Sequence, residues 1–402
     1  MNDNITKLYE IANKSSRKII GLMSGTSLDG LDIAYCEIFD FGENTKVNLL
    51  NFDTIDYTDD LKTEIRKVFA EKEIDFQHLA LLNEYIGNIH GEMILDCLKK
   101  WKISANEVDL IASHGQTVMH APKILHQIEK FPNATLQIGD GDHIAVKTGI
   151  ITISDFRQKH LAAGGEGAPL AVYGDYIIFS KKGENRILLN IGGIANFTFL
   201  PKNLNPEQVF VTDTGTGNTL IDAFIRFYFP EMSYDKNAEI SKTGNVNQEL
   251  LIELKANVFF AKPFPKTTGP ELFNKKYVFE AQKSSNNLNI NINDLLATLT
   301  QFSAETIAEA IKYAVQNSEN PNDEFTIYMS GGGVHNPLLV ETLKKLLPFN
   351  FKKTDDLGVS SDAKEAVLFA ILANENVAGG KSDFGTRKGI PSVSMGKISF
   401  SK

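Results

Sequence analysis

The chain is poor in sulfur and indole, with two cysteines and one tryptophan among 402 residues. Cys36 and Cys97 fall in apolar segments of strand-like and helix-like pattern. They read as buried thiols of a reducing compartment and exclude a disulfide framework or a cysteine metal site. No run reaches ~18 apolar residues, so no membrane span is expected. There is no Lys/Arg run either, and the net charge is −9. That balance argues against nucleic acid as the main partner, because phosphate backbones need basic patches. Met1 to Lys18 mixes both charges and lacks the apolar centre of a signal peptide. The expectation is a cytoplasmic protein.

Several motifs are missing too. Gly-Lys-Ser occurs at 380–382, but Glu375 stands where a phosphate-binding P-loop needs its first glycine. No Gly-x-Gly-x-x-Gly follows a strand. His114 and His120 lack the helical i, i+4 spacing of a zinc pair, and no Glu or Cys completes them. The Gly-x-Ser-x-Gly elbow of a serine hydrolase is absent as well.

What remains is globular: 42% hydrophobic and 23% charged residues, with a length that suits two or three domains. Periodicity predicts strands over 18–23, 31–39, 47–55, 109–113, 150–153, 186–191, 195–200, 209–212 and 325–329. Helical patterns cover 59–70, 77–101, 139–147, 169–180, 217–229, 246–257, 293–317, 336–347 and 360–374. In 293–317, Leu295, Leu296, Leu299, Phe302, Ala310, Ile311 and Ala314 form one helical stripe, read as core or an interdomain seam. Strands followed by strand–helix alternation suggest mixed sheets covered by helices. A polar surface loop is expected around Ser284 to Asn293, and a change of domain near Lys181-Lys182-Gly183-Glu184.

Chemistry concentrates on glycine-rich turns. Ile19, Ile20 and Leu22 lead into Gly25-Thr26-Ser27-Leu28-Asp29-Gly30, and Leu31 resumes an apolar strand. Backbone N–H groups at such a tip suit a phosphate, although an ordinary hairpin has the same turn residues. The pattern returns at Arg186 to Leu200 around Gly192-Gly193, and Phe325 to Leu338 runs from strand into Gly331-Gly332-Gly333. Together these turns imply a duplicated architecture with a cleft between halves. Asp213, read at the end of strand 209–212, suits a general base, or simply caps the helix from Thr219. Ser113 to Thr117 with His114, and Asp155-Phe156-Arg157, likewise follow strands, where ligands bind in layered α/β folds.

In order and spacing these residues resemble the anhydro-N-acetylmuramic acid kinase family, a branch of the actin/hexokinase/Hsp70-like ATPase superfamily. The matching stations are Gly21–Asp32, Ser113–Thr117, Leu136–Asp140, Asp155–Leu170, Asn190–Asn196, Asp213–Asn218, Lys266–Glu271, Ser330–Asn336 and Glu365–Ala370. The resemblance implies an α/β, two-lobed actin/hexokinase-like fold of duplicated ribonuclease H-like type. The first lobe would be 17–182 with 362–402 and the second 183–361. It implies ATP and Mg2+ as cofactors and an amino sugar as substrate. No nucleic acid or membrane partner is implied, and there is room for a homodimer. Family enzymes phosphorylate 1,6-anhydro-N-acetylmuramic acid while water opens the anhydro ring, giving N-acetylmuramic acid 6-phosphate for cell-wall recycling.

By the same resemblance, Asp213 and Glu365 are catalytic. Gly25, Thr26, Ser27, Leu28, Asp29, Gly30, Leu31, Asp32, Gly192, Gly193, Gly331, Gly332 and Gly333 bind ATP. His114, Asp155, Arg157 and Asp213 bind the sugar, and no direct metal ligand is implied. The family usually carries Asp where His160 stands, Gln for Glu166, Pro for Thr216 and Arg for Pro270. These departures bear on sugar specificity more than on ATP use. A sister kinase for another amino sugar and a nucleotide-dependent, chaperone-like module therefore stay open. His160 and Pro270 favour the first, while Asp213 and Arg157 speak against the second.

Overall fold

A computed structural model of the chain describes residues 2–25, 28–168, 170–360, 362–380 and 391–401. By internal contacts the chain divides into two units, Met1–Phe179 with Gly358–Lys402, and Ser180–Leu357.

The first unit is built on a seven-stranded sheet. Its strands are β1 (Ser16–Ser24), β2 (Gly30–Phe39), β3 (Lys46–Asp56), β4 (Leu110–Ala121), β5 (Ala134–Ile138), β6 (Thr152–Ser154) and β12 (Lys397–Ser399). β1, β2 and β3 form an antiparallel meander. β4 lies parallel to β1 and β6 parallel to β4, while β12 adds antiparallel to β6. Ile19, Ile20 and Leu22 on β1 are all buried, as a central strand covered on both faces requires. Burying each such side chain contributes roughly 1.5–3 kcal/mol. One cover is the helix Lys364–Asn374. It approaches β1 so closely that a Cβ on Gly21 would lie 1.9 Å from the Ala366 carbonyl oxygen. At the far end of that helix, Arg17 Nε donates to Asn374 Oδ1. The helix Phe76–Trp101 is started by Asp75, whose carboxylate accepts from the Gln77 and His78 N–H groups.

The second unit holds a five-stranded sheet of β7 (Asn185–Ile191), β8 (Ile194–Leu200), β9 (Phe210–Thr216), β10 (Phe325–Ser330) and β11 (Asn350–Lys353). β7, β8 and β9 are again an antiparallel meander, β10 is parallel to β7, and β11 is parallel to β10. The order β3-β2-β1-β4-β6 is thus repeated as β9-β8-β7-β10-β11. This is the duplication that the paired glycine turns implied. The helix Ile292–Gln316 is capped by Asn291 and buries the whole expected stripe from Leu295 to Ala314.

Some local expectations fail. The polar N-terminus forms the helix Asp3–Ala12, with Asn2 accepting from the Asn4 N–H and Ile11 buried. The strand expected over 109–113 continues to Ala121, because β5 pairs with Gln116–Ala121. Ser113 to Thr117 therefore lie inside β4 and not beyond its end. Asp213 similarly lies inside β9. Cys36 and Cys97 are free and buried, as expected. No helix among the described residues is long and apolar enough to cross a membrane.

Candidate active site

In the second unit three glycine-bearing turns are tied together. The Gly192 carbonyl accepts from the Asn218 N–H at 2.9 Å, and the Gly193 carbonyl from the Gly217 N–H at 2.8 Å and the Thr219 N–H at 3.1 Å. The β7–β8 turn is thereby docked on the start of the helix Thr219–Tyr228. Gly217 cannot be larger, since its Cβ would sit 2.3 Å from the Gly192 oxygen. Gly331 has φ +84°, and a Cβ on Gly333 would meet Ile191 Cγ2 at 2.2 Å. The triple glycine after β10 therefore lies flat against the end of β7. Backbone N–H groups of successive glycines, beside a helix N-terminus, suit an anion.

Asp213 does not cap that helix. Asn218 occupies the cap position, and an Asp213 carboxylate oxygen accepts from the Thr268 N–H at 2.8 Å. The segment carrying Thr268 is pinned to β9, with the Asp213 N–H donating to the Lys266 carbonyl and the Lys266 N–H to Thr212 Oγ1. Lys266 Nζ donates to the Phe259 and Phe260 carbonyls and lies over the Phe259 ring, 4.5 Å from its centroid. Burial raises the Asp213 pKa; the Thr268 N–H opposes this and Glu271 adds to it. No ion pair engages Asp213 among the described residues.

In the first unit the turn after β1 is held by a buried polar chain. Tyr57 donates its hydroxyl to Ser24 Oγ at 2.8 Å and lies 2.7 Å from His90 Nε2. Ser24 in turn donates to Gln116 Oε1, and the Gln116 amide donates to the Gly25 carbonyl at 3.2 Å. Burial pushes His90 down to about 4, so it sits neutral. Leu28 and Leu31 are buried in the core and offer a ligand only backbone. The Asp29 carbonyl accepts from the Tyr57 N–H. Gly30 faces β3, where a Cβ would lie 2.3 Å from the Ile55 oxygen. Thr26 and Ser27 lie outside the described residues. Asp32 accepts from Thr54 Oγ1 at 2.6 Å. Its pKa is raised, first by burial and then by Asp362 and Asp29.

His114 and Arg157 are brought together. Arg157 donates from Nε to His114 Nε2 at 2.9 Å and from a terminal nitrogen to the Gly167 carbonyl at 2.6 Å. Burial lowers the Arg157 pKa to about 10, with Glu365 opposing the shift. His114 is pushed to about 3 by burial and by Arg157, and rests against Phe369. Its Nε2 therefore accepts, and the ring is neutral. Glu365, in the first turn of Lys364–Asn374, is raised by burial and held back by Lys364 and Arg157. Asp155, left-handed at φ +55°, is engaged differently, its carboxylate accepting from Lys397 Nζ at 2.8 Å.

The family model described as anhydro-N-acetylmuramic acid kinase matches residues 17–396. The chain belongs to this family. A relative of that name from Pseudoalteromonas atlantica (strain T6c / ATCC BAA-1087) is 54% identical, with both chains fully covered. One from Pseudoalteromonas translucida (strain TAC 125) is 53% identical over the same span. Another, from Caldanaerobacter subterraneus subsp. tengcongensis, is 39% identical over 98% of this chain and 99% of its own length.

Ser24, Tyr57, His90, Gln116 and Lys266 were not singled out as site residues from the sequence. Gln116 had a signal, as a member of the polar run Ser113 to Thr117. Tyr57 and His90 had none, because Tyr57 meets Ser24, and His90 meets Tyr57, only across a long stretch of sequence.

Proposed function

We propose that this chain is an ATP-dependent kinase that opens 1,6-anhydro-N-acetylmuramic acid and phosphorylates it at O6. Asp213 takes a proton from water, and the water oxygen attacks the anomeric carbon. The bond from that carbon to O6 breaks, O6 attacks the γ-phosphorus of ATP, and ADP leaves. The product is N-acetylmuramic acid 6-phosphate. Arg157, gripped by His114 and Gly167, orients the sugar, with Glu365 beside it. The backbone at Gly25, Gly192–Gly193 and Gly331–Gly333 receives the nucleotide. Positioning and charge neutralisation carry most of the catalysis in phosphoryl transfer.

The observation that carries this reading is Asp213, a half-buried carboxylate with a raised pKa, one N–H donor and, among the described residues, no cation partner. That is the environment of a base and not of a structural ion pair. Purified protein, ATP, magnesium and the anhydro sugar test it by mass spectrometry of the product. In 18O-labelled water one label should enter at the anomeric carbon. A folded protein that binds ATP and yields no 6-phosphate would overturn the proposal.

Magnesium would come with the nucleotide. No group of three or more His, Cys, Asp or Glu among the described residues is arranged to hold a metal. A magnesium–ATP site needs only one or two carboxylates, and Asp32, whose pKa is raised by burial and then by the charges of Asp362 and Asp29, fits that need. The ion would neutralise phosphate charge. Chelation with EDTA is expected to abolish turnover, while nucleotide-free protein binds magnesium weakly by calorimetry.

A further inference from the structure

The glycine-rich segment after Arg157 is held by a side chain that the reaction itself does not use. His160, on the helix Phe156–Ala162, is 1% exposed. Its ring stands edge-on to Tyr173, with centroids 5.7 Å apart, and the Tyr173 hydroxyl donates to the Pro391 carbonyl. Gly165 passes so near that a Cβ would lie 2.2 Å from the imidazole. The Gly165 N–H donates to the His160 carbonyl, and Asn133 donates to the Gly165 carbonyl. The Gly167 N–H then donates to His160 Nδ1 at 3.0 Å, with Gly167 at φ +78°. The carbonyl of the same Gly167 accepts from Arg157 at 2.6 Å.

One residue thus joins imidazole to guanidinium. An accepting Nδ1 is unprotonated, so the neutral ring carries its proton on Nε2. Burial, helped by Arg157, holds His160 down at about 4. Two anchors, His114 and Gly167, fix the guanidinium plane and leave its remaining N–H groups for a ligand. Ordering that side chain in advance removes a cost that binding would otherwise carry.

We propose that His160 is a positioning residue which, through Gly167, sets the orientation of Arg157 and so the affinity for the sugar. This rests on the assignment of Arg157 to the sugar. His160→Phe keeps an aromatic ring against Tyr173 but removes the acceptor. His160→Asn loses the ring but returns an acceptor near the place of Nδ1. The sugar KM should rise about tenfold in His160→Phe, the scale of one lost hydrogen bond to a charged network. The ATP KM should not move. In His160→Asn the sugar KM should stay within about twofold of wild type, even if Tm falls. The reverse order, with Phe normal and Asn impaired, would mean that the ring only packs and would overturn the proposal. Should His160→Phe not fold, 15N NMR of the wild-type protein still decides, since a proton on Nδ1 contradicts the link to Gly167. Arg157→Gln separates the two layers. An unchanged sugar KM there overturns the sugar assignment itself, whichever tautomer His160 shows.

Discussion

Asp213 is one carboxylate with two measurable signatures. If it is the base, Asp213→Asn lowers turnover by at least ~100-fold and spares ATP binding. A base must be ionised, so kcat falls as pH drops through its pKa, and burial places that fall above the usual Asp range. The same shift has a stability sign. A native pKa above the unfolded one adds stability below the unfolded value and loses it as pH rises through the native value. At neutral pH the ionised Asp213 therefore costs stability. Asp213→Asn, still able to accept from Thr268, is expected to melt higher than wild type at pH 7. An inactive variant that also melts lower would point to a structural carboxylate. Calorimetric melts across pH, run beside pH–rate profiles, check both signatures.

Elements meet where glycine lets them. Gly21→Val would drive a side chain into the Ala366 carbonyl and should cost about 3 kcal/mol in urea unfolding, near the top of the range for overpacking. Gly333→Val would collide with Ile191 and push the triple-glycine turn off β7. ATP affinity should fall about tenfold by calorimetry, equivalent to ~1.4 kcal/mol, while sugar affinity holds. Unchanged ATP affinity would mean that this turn does not meet the nucleotide. Such element contacts explain which parts were legible in the sequence. The paired hairpins and the long helices carry strong periodicity, and the duplication was read from the paired turns, whereas the strand order is set by tertiary pairing. The end of β4 was not legible, because the strand is prolonged by β5, whose pairing is tertiary. The place of Asp213 within β9 was not legible either, since β9 is carried past it to Thr216 by an irregular pairing with β8. Lys397 on Asp155 was invisible for the same reason.

At the scale of the whole molecule, the repeated sheet order makes each unit a complete fold in topology, but only one is continuous in sequence. Ser180–Leu357 is a single stretch. Met1–Phe179 still needs the helix Lys364–Asn374 over β1 and the strand β12 beside β6. Translation runs from the amino end, and domains fold as units during synthesis. The second unit can therefore finish while the earlier-made one waits on the ribosome with the Gly21 face of β1 uncovered. In nascent chains arrested before Lys364 leaves the exit tunnel, limited proteolysis should cut within Met1–Phe179 and spare Ser180–Leu357. Equal protection of both would contradict this order. The portion translated first is thus the last to mature, because its β1 face and β6 edge wait for residues made after the second unit is complete.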